Sequence, residues 1–281
     1  MEHQKYAKLL RMAAPLAALL LVALRVVTWK SAIDDSGLLP RDSKLLTVTV
    51  LAAACLFAGL WVLCLRLNRL PGTEACFPGG PVLSALRLAG GALVLLGSLL
   101  PLLKSEPDAG AVELAVLLAG VVSGLLLCWL ALAPERGPRF VWVRLLIALY
   151  TGASLILRFR DWSHDPLVIH ILPMLLAWTC CMVEATLLAG FSLGAGHRRS
   201  GVLFGLAAAV FTCMSLPDCL LSSRTGIAEL LPLLGLALCW AAAALDLLRD
   251  EVQAELPPAE PAPEPVPPEA SGSSERDNLY N

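Results

Sequence analysis

The stretch LLTVTVLAAACLFAGLWVLCL, residues 45–65, runs for 21 residues without a charge. An α-helix rises about 1.5 Å per residue, so roughly 20 apolar residues cross a hydrocarbon core about 30 Å thick. Leu and Ala follow one another here without alternating polar residues. A membrane β-barrel strand would need that alternation. The stretch therefore reads as a helix in lipid.

Working outward, seven more runs of the same kind lie at roughly 12–28, 82–103, 112–133, 140–157, 166–190, 201–221 and 227–248. Breakers separate them: Pro71-Gly72, Pro78-Gly79-Gly80-Pro81, Pro134 with Gly137-Pro138, and Gly194 with Gly196. Charged residues make up 16% of the chain against about 25% in soluble domains, and the mean hydropathy is +0.73. The fold class that follows is an all-α, polytopic transmembrane helical bundle of about eight spans over residues 1–248. Its immediate surroundings are the lipid bilayer, and nothing in it resembles a nucleic-acid-binding surface. Lys5, Lys8 and Arg11 before the first run fit the n-region of a signal peptide. Arg25 interrupts that run, however, and Trp29-Lys30-Ser31 is a poor cleavage site, so the segment is read as an uncleaved helix.

Residues 249–281 are different. They hold eight acidic and two basic residues, net -6, together with seven prolines. Such a segment cannot bury enough apolar surface to offset its ordering entropy, so a disordered, acidic, Pro/Glu-rich tail is expected. The membrane part carries the opposite balance. With the N-terminus inside, the inner segments hold eleven Lys and Arg and the outer loops seven. This favours cytoplasmic N- and C-termini, in the plasma membrane.

A repeat is suggested by the helices taken in pairs. Odd helices begin at Arg11, Arg87, Arg144 and Arg199, spaced 76, 57 and 55 residues apart. Even helices carry Trp beside Cys: Trp61 with Cys64, Cys128 with Trp129, Trp178 with Cys180, and Cys239 with Trp240. Four related helical hairpins would produce this. So would cytoplasmic Arg at helix starts and lipid-placed Trp, and the two readings stay open. Gly120-x-x-x-Gly124, Gly190-x-x-x-Gly194 and Gly201-x-x-x-Gly205 each place small residues one turn apart, a signal for close helix packing. Pro15, Pro173, Pro217 and Pro232 fall inside predicted helices.

Ionisable side chains within lipid are costly and are the first functional candidates. Those singled out are Glu184, Arg144, Arg87, Arg25 and Asp218. Glu184, Arg87 and Arg144 fall at similar depth, so a pair from Glu184 to Arg87 or Arg144 is expected. Arg25 and Asp218 match at the opposite end. Glu184 stands in the most polar of the helices, where Cys180 shares its face and His170 lies about four turns away. Together they suggest a polar path, though a structural buried acid is the favoured reading.

The segment Arg158-Phe159-Arg160-Asp161-Trp162-Ser163-His164-Asp165 reads as a solvated outer loop with internal salt bridges. One His with two Asp is weak as a metal site, and the arginines oppose a cation. Eight of the nine cysteines fall inside apolar runs, which suits buried thiols better than disulfides or metal ligation. No metal site, cofactor signature or catalytic motif appears, and no helix offers a nucleophile beside a base. The expected function is that of a non-enzymatic accessory or scaffold membrane protein, with a membrane-protein partner or self-association. The alternative is a small-solute or ion transporter with a site near Glu184.

Overall fold

The computed structural model describes residues 2–32, 44–67, 77, 79–104, 110–132, 140–163, 168–221 and 227–249. The fold is all-helical. In chain order the elements are α1 (Glu2–Ala32), α2 (Lys44–Leu65), α3 (Pro81–Lys104), α4 (Ala111–Leu132), α5 (Val141–Trp162), α6 (Val168–Ser192), α7 (Arg198–Leu221) and α8 (Ile227–Leu247). All eight are long and apolar enough to cross a membrane, the make-up of a multi-pass membrane protein. The acidic segment from residue 250 lies outside the described residues.

Two helices outrun their apolar stretches. α1 begins at Glu2, because Gln4, Lys5, Lys8 and Arg11 are good helix formers even though they are not lipid-soluble. α5 continues through Arg158, Phe159, Arg160 and Asp161 to Trp162, and the Ser163 N–H closes it on the Phe159 carbonyl at 2.8 Å. Residues 158–162 of the stretch expected to be an outer loop are therefore the last turn of a helix. Hydropathy marks where lipid is, whereas backbone hydrogen bonding sets where a helix ends.

α7 and α8 form the centre. In the most apolar window of α7, 78% of residues are buried, against 22% in α2 and in α4. α7 touches α1, α2, α6 and α8, while α8 also takes α3 along its length. α4 lies outside α3, and α5 joins α4 to α6. The two helices of each sequential pair pack together. The recurring Trp falls in two environments: Trp61 and Trp129 are about half exposed, whereas Trp178 and Trp240 are buried. α1 begins and α8 ends at one face, hereafter the terminal face, where Arg11 donates to the Leu248 carbonyl.

Glycines set the seams. A Cβ on Gly124 of α4 would lie 2.6 Å from the Leu95 nitrogen of α3, so these backbones touch. On α3, Gly90 and Gly91 face opposite ways. A Cβ on Gly90 would meet the Cys239 sulfur of α8 at 2.6 Å, and one on Gly91 the Cys128 nitrogen of α4 at 2.8 Å. Gly97 faces the ring of Pro232. In place of a side-chain layer, α3 thus presents bare backbone to both neighbours, the condition for close helix approach in lipid.

One of the three glycine pairs has another role. Gly194 lies past the end of α6 at φ 74°, with its N–H bonded to Phe191 O at 3.2 Å. The Ala195 N–H bonds to Gly190 O at 2.9 Å. This is a helix C-cap, in which glycine supplies the left-handed residue. Gly190-x-x-x-Gly194 is thus a terminator instead of the packing face expected. Pro15, Pro173, Pro217 and Pro232 do lie within helices, and so does Pro101.

Candidate functional site

Arg25 of α1 is fully buried, and its Nε donates to Asp218 Oδ1 of α7 at 2.7 Å. The indole Nε1 of Trp29, one turn along α1, donates to the same oxygen at 2.6 Å. The matched depths of Arg25 and Asp218 thus end in contact. A guanidinium and a carboxylate neutralise each other, and the indole takes up further acceptor capacity. Both changes lower the cost of holding charge away from water.

Glu184 is not joined to either expected arginine. Arg87 of α3 pairs with Asp246 of α8, a fully buried residue. Arg144 of α5 donates to the Leu188 carbonyl and, at 2.8 Å, to Ser192 Oγ in the last turns of α6. α3 packs on α8 instead of α6, so Asp246 is what Arg87 meets. Asp246 is not among the residues singled out in the sequence, because it stands just before the acidic segment. The available signal was its position three residues before Arg249, inside a helix whose apolar run continues to Leu248.

Glu184 itself is fully buried, and neither carboxyl oxygen has a hydrogen-bond partner among the described residues. Its Oε1 lies 3.7 Å and 3.5 Å from where Cβ atoms on Gly201 and Gly205 would stand. The carboxyl therefore lies in ordinary packing range of the glycine face of α7. Arg144 and Cys180 lie within electrostatic reach. Cys180 is buried one turn away, while the His170 side chain lies outside the described residues. The polar path through His170, Cys180 and Glu184 is thus reduced, among described side chains, to Cys180 and Glu184.

At the terminal face the other arginines hold backbone. Arg198 Nε, buried, donates to Leu247 O at 2.7 Å. Arg199 Nε donates to Leu67 O at 2.9 Å, and Arg249 Nη1 to Gly79 O at 2.6 Å. The last carbonyls of a helix lack intrahelical donors and sit at the negative end of its dipole, which favours guanidinium there. Arg11, Arg144 and Arg198 reach the C-terminal carbonyls of α6 and α8 across helix boundaries. The basic helix starts noticed in the sequence are therefore interhelical ties.

The opposite end holds a cavity of about 280 Å³ between α3, α4, α5 and α8. Ser98, Tyr150 and Ser154 line it together with Glu113, Arg158, Asp161 and Glu229. The Tyr150 and Ser98 hydroxyls are 3.5 Å apart. Arg158 stacks on the Trp178 ring at 4.7 Å from its centroid, a cation–π contact made possible by the extra turn of α5. Arg160 and Asp161 close on each other at 3.0 Å, both largely exposed. His164 and Asp165 lie outside the described residues, and no group of three metal-ligating side chains occurs among those described. Arg158 falls in the stretch expected to be a loop, and Glu113 and Glu229, not singled out in the sequence, stand in the first turns of α4 and α8.

A second cavity, about 240 Å³, is almost wholly apolar. It lies between α2, α6 and α7 and is lined by Val50, Phe57, Leu176 and Phe211, with Arg25 and Thr49 at one end. Neither cavity is lined by Glu184. No protein-family model, no curated protein and no solved structure matches this chain.

Proposed function

We propose that this chain is a non-enzymatic accessory or scaffold protein of the membrane. The observation that carries the reading is the use to which the buried charges are put. Arg25 is joined to Asp218 and Arg87 to Asp246, while Arg11, Arg144 and Arg198 hold carbonyls at helix ends. These contacts tie α1 to α7 and α8, α3 to α8, α5 to α6, and α7 to α8. Groups so engaged fasten helices together instead of lining a path.

The observation on the side of transport is Glu184, whose oxygens have no donor among the described residues. Reconstituted vesicles decide between the two. The accessory reading expects no flux of protons, sodium or potassium above that of protein-free vesicles. A flux present in the natural chain and lost in Glu184→Gln would replace it with transport. Because Glu184 makes no hydrogen bond among the described residues and Gln has nearly the same shape, Glu184→Gln should move the thermal midpoint in detergent by less than about 2 °C. A fall above about 5 °C would show a stabilising contact through Glu184.

The same reading places the terminal face in the cytoplasm, with a membrane-protein partner or a second copy meeting the bundle within the bilayer. The arginine distribution supports that orientation. A Pro265→Cys variant in intact cells should then take up no impermeant maleimide beyond that of the natural chain. Strong outside labelling of the variant would reverse the orientation.

A further inference from the structure

At the end opposite the termini, the polar cavity holds two opposite charges that lie close together without a bond between them. Arg158 and Glu229 both line it, and each lies within electrostatic reach of the other. They do not bond: Arg158 Nε and Glu229 Oε2 are both buried without a hydrogen-bond partner among the described residues. Buried polar atoms are nearly always satisfied, and charged ones most of all. The nearby Arg160–Asp161 pair shows that charges at this end close on each other where they can. Arg158 is held away by its stacking on Trp178, and Glu229 by its place in the first turn of α8.

We infer that this cavity binds a small zwitterion, its ammonium group taken by Glu229 and its anionic oxygens by Arg158. Glu113 and Asp161 also line the space within electrostatic reach of Glu229 and add negative charge around the ammonium group. The Ser98 and Tyr150 hydroxyls offer hydrogen bonds, while Val116 and Pro232 form an apolar wall against the linking carbons. At about 280 Å³ the cavity is at the small end of ligand sites, which run from about 300 to 1,000 Å³. It suits an amino-acid-sized molecule or the headgroup of an ethanolamine phospholipid. These share one chemistry, an ammonium a few bonds from a carboxylate or phosphate. The inference is independent of the accessory reading, since binding here requires neither flux nor a protein partner.

Thermal unfolding of the detergent-purified full chain tests it, with β-alanine, O-phosphoethanolamine, ethanolamine and acetate as soluble probes. Short-chain phosphatidylethanolamine and phosphatidylglycerol serve as lipid probes. A ligand that binds only the folded state raises the midpoint saturably. A rise of about 3 °C or more is expected with β-alanine, O-phosphoethanolamine or phosphatidylethanolamine. A response to the lipid alone assigns the source to the bilayer, and a response to the soluble zwitterions assigns it to solution; either supports the inference. Arg158→Gln and Glu229→Gln should abolish the rise, and Lys30→Gln, an exposed charge that does not line the cavity, should keep it. Val116→Phe, which fills the space without touching a charge, should also abolish it, so the test survives a charge variant that fails to fold. The inference is overturned if no zwitterion shifts the midpoint, if ethanolamine and acetate shift it equally, or if Val116→Phe retains the shift.

Discussion

Arg25→Met should destabilise the bundle by about 3 to 5 kcal/mol, the usual cost of removing one partner from a buried ion pair. Arg25 is fully buried and Asp218 only 6% exposed, so the surviving carboxylate would have no route to water. The Trp29 indole donates to the same oxygen but carries no charge, and cannot take the place of the guanidinium. Asp218→Leu should cost a similar amount by orphaning Arg25. The double variant Arg25→Met with Asp218→Leu is the decisive one. Removing both charges leaves apolar groups in an apolar place, so its loss should fall short of the sum of the single losses by about 2 kcal/mol or more. Thermal midpoints in detergent measure this directly. Strictly additive losses would show that the two side chains act separately, and the α1–α7 tie would then rest on packing alone.

The second large effect is expected at Gly124→Leu. Its Cβ would stand 2.6 Å from the Leu95 nitrogen and 2.8 Å from Leu95 Cα, distances at which backbone, not a yielding side chain, is in the way. α4 would have to move off α3, opening the seam that Gly91 completes from the other side. A loss of about 3 kcal/mol or outright failure to fold is expected, at the upper end of overpacking effects. Gly59→Leu on α2 is the matched control. A Cβ there meets nothing within 4 Å, and the position is exposed to the surroundings. It should change stability by no more than about 0.5 kcal/mol. Equal behaviour of the two would mean that α3 and α4 are not in backbone contact.

The residues differ in how far they could be read without coordinates. Arg25 and Asp218 were matched by counting residues from helix ends, and they do meet. The same counting put Glu184 level with Arg87 and Arg144, yet Arg87 joins Asp246 and Arg144 holds the end of α6. Depth along the membrane normal is a property of one helix and its sequence position. Choice of partner depends on which helices are neighbours and how each is rotated, and no single segment carries that information. Arg158 was hidden for a related reason. Its charge made the end of α5 look like a loop, whereas stacking on Trp178 allows the helix to continue with the guanidinium turned inward.

The apolar run at residues 45–65 and its seven counterparts determine by themselves that the chain forms eight membrane-length helices. Transfer into lipid is a sum over consecutive side chains and needs no tertiary contact. The even number of helices also places the start of α1 and the end of α8 at one face. Tertiary structure alone decided which helices are central and which charges are matched. In lipid, apolar side chains do not select among apolar neighbours; close approach at small residues does. Gly90, Gly91 and Gly124 fix α3 between α4 and α8, and Gly205 lets α7 approach the Trp240 carbonyl of α8. That arrangement brings Arg87 to Asp246, and it leaves Arg158 and Glu229 in one cavity without a bond between them.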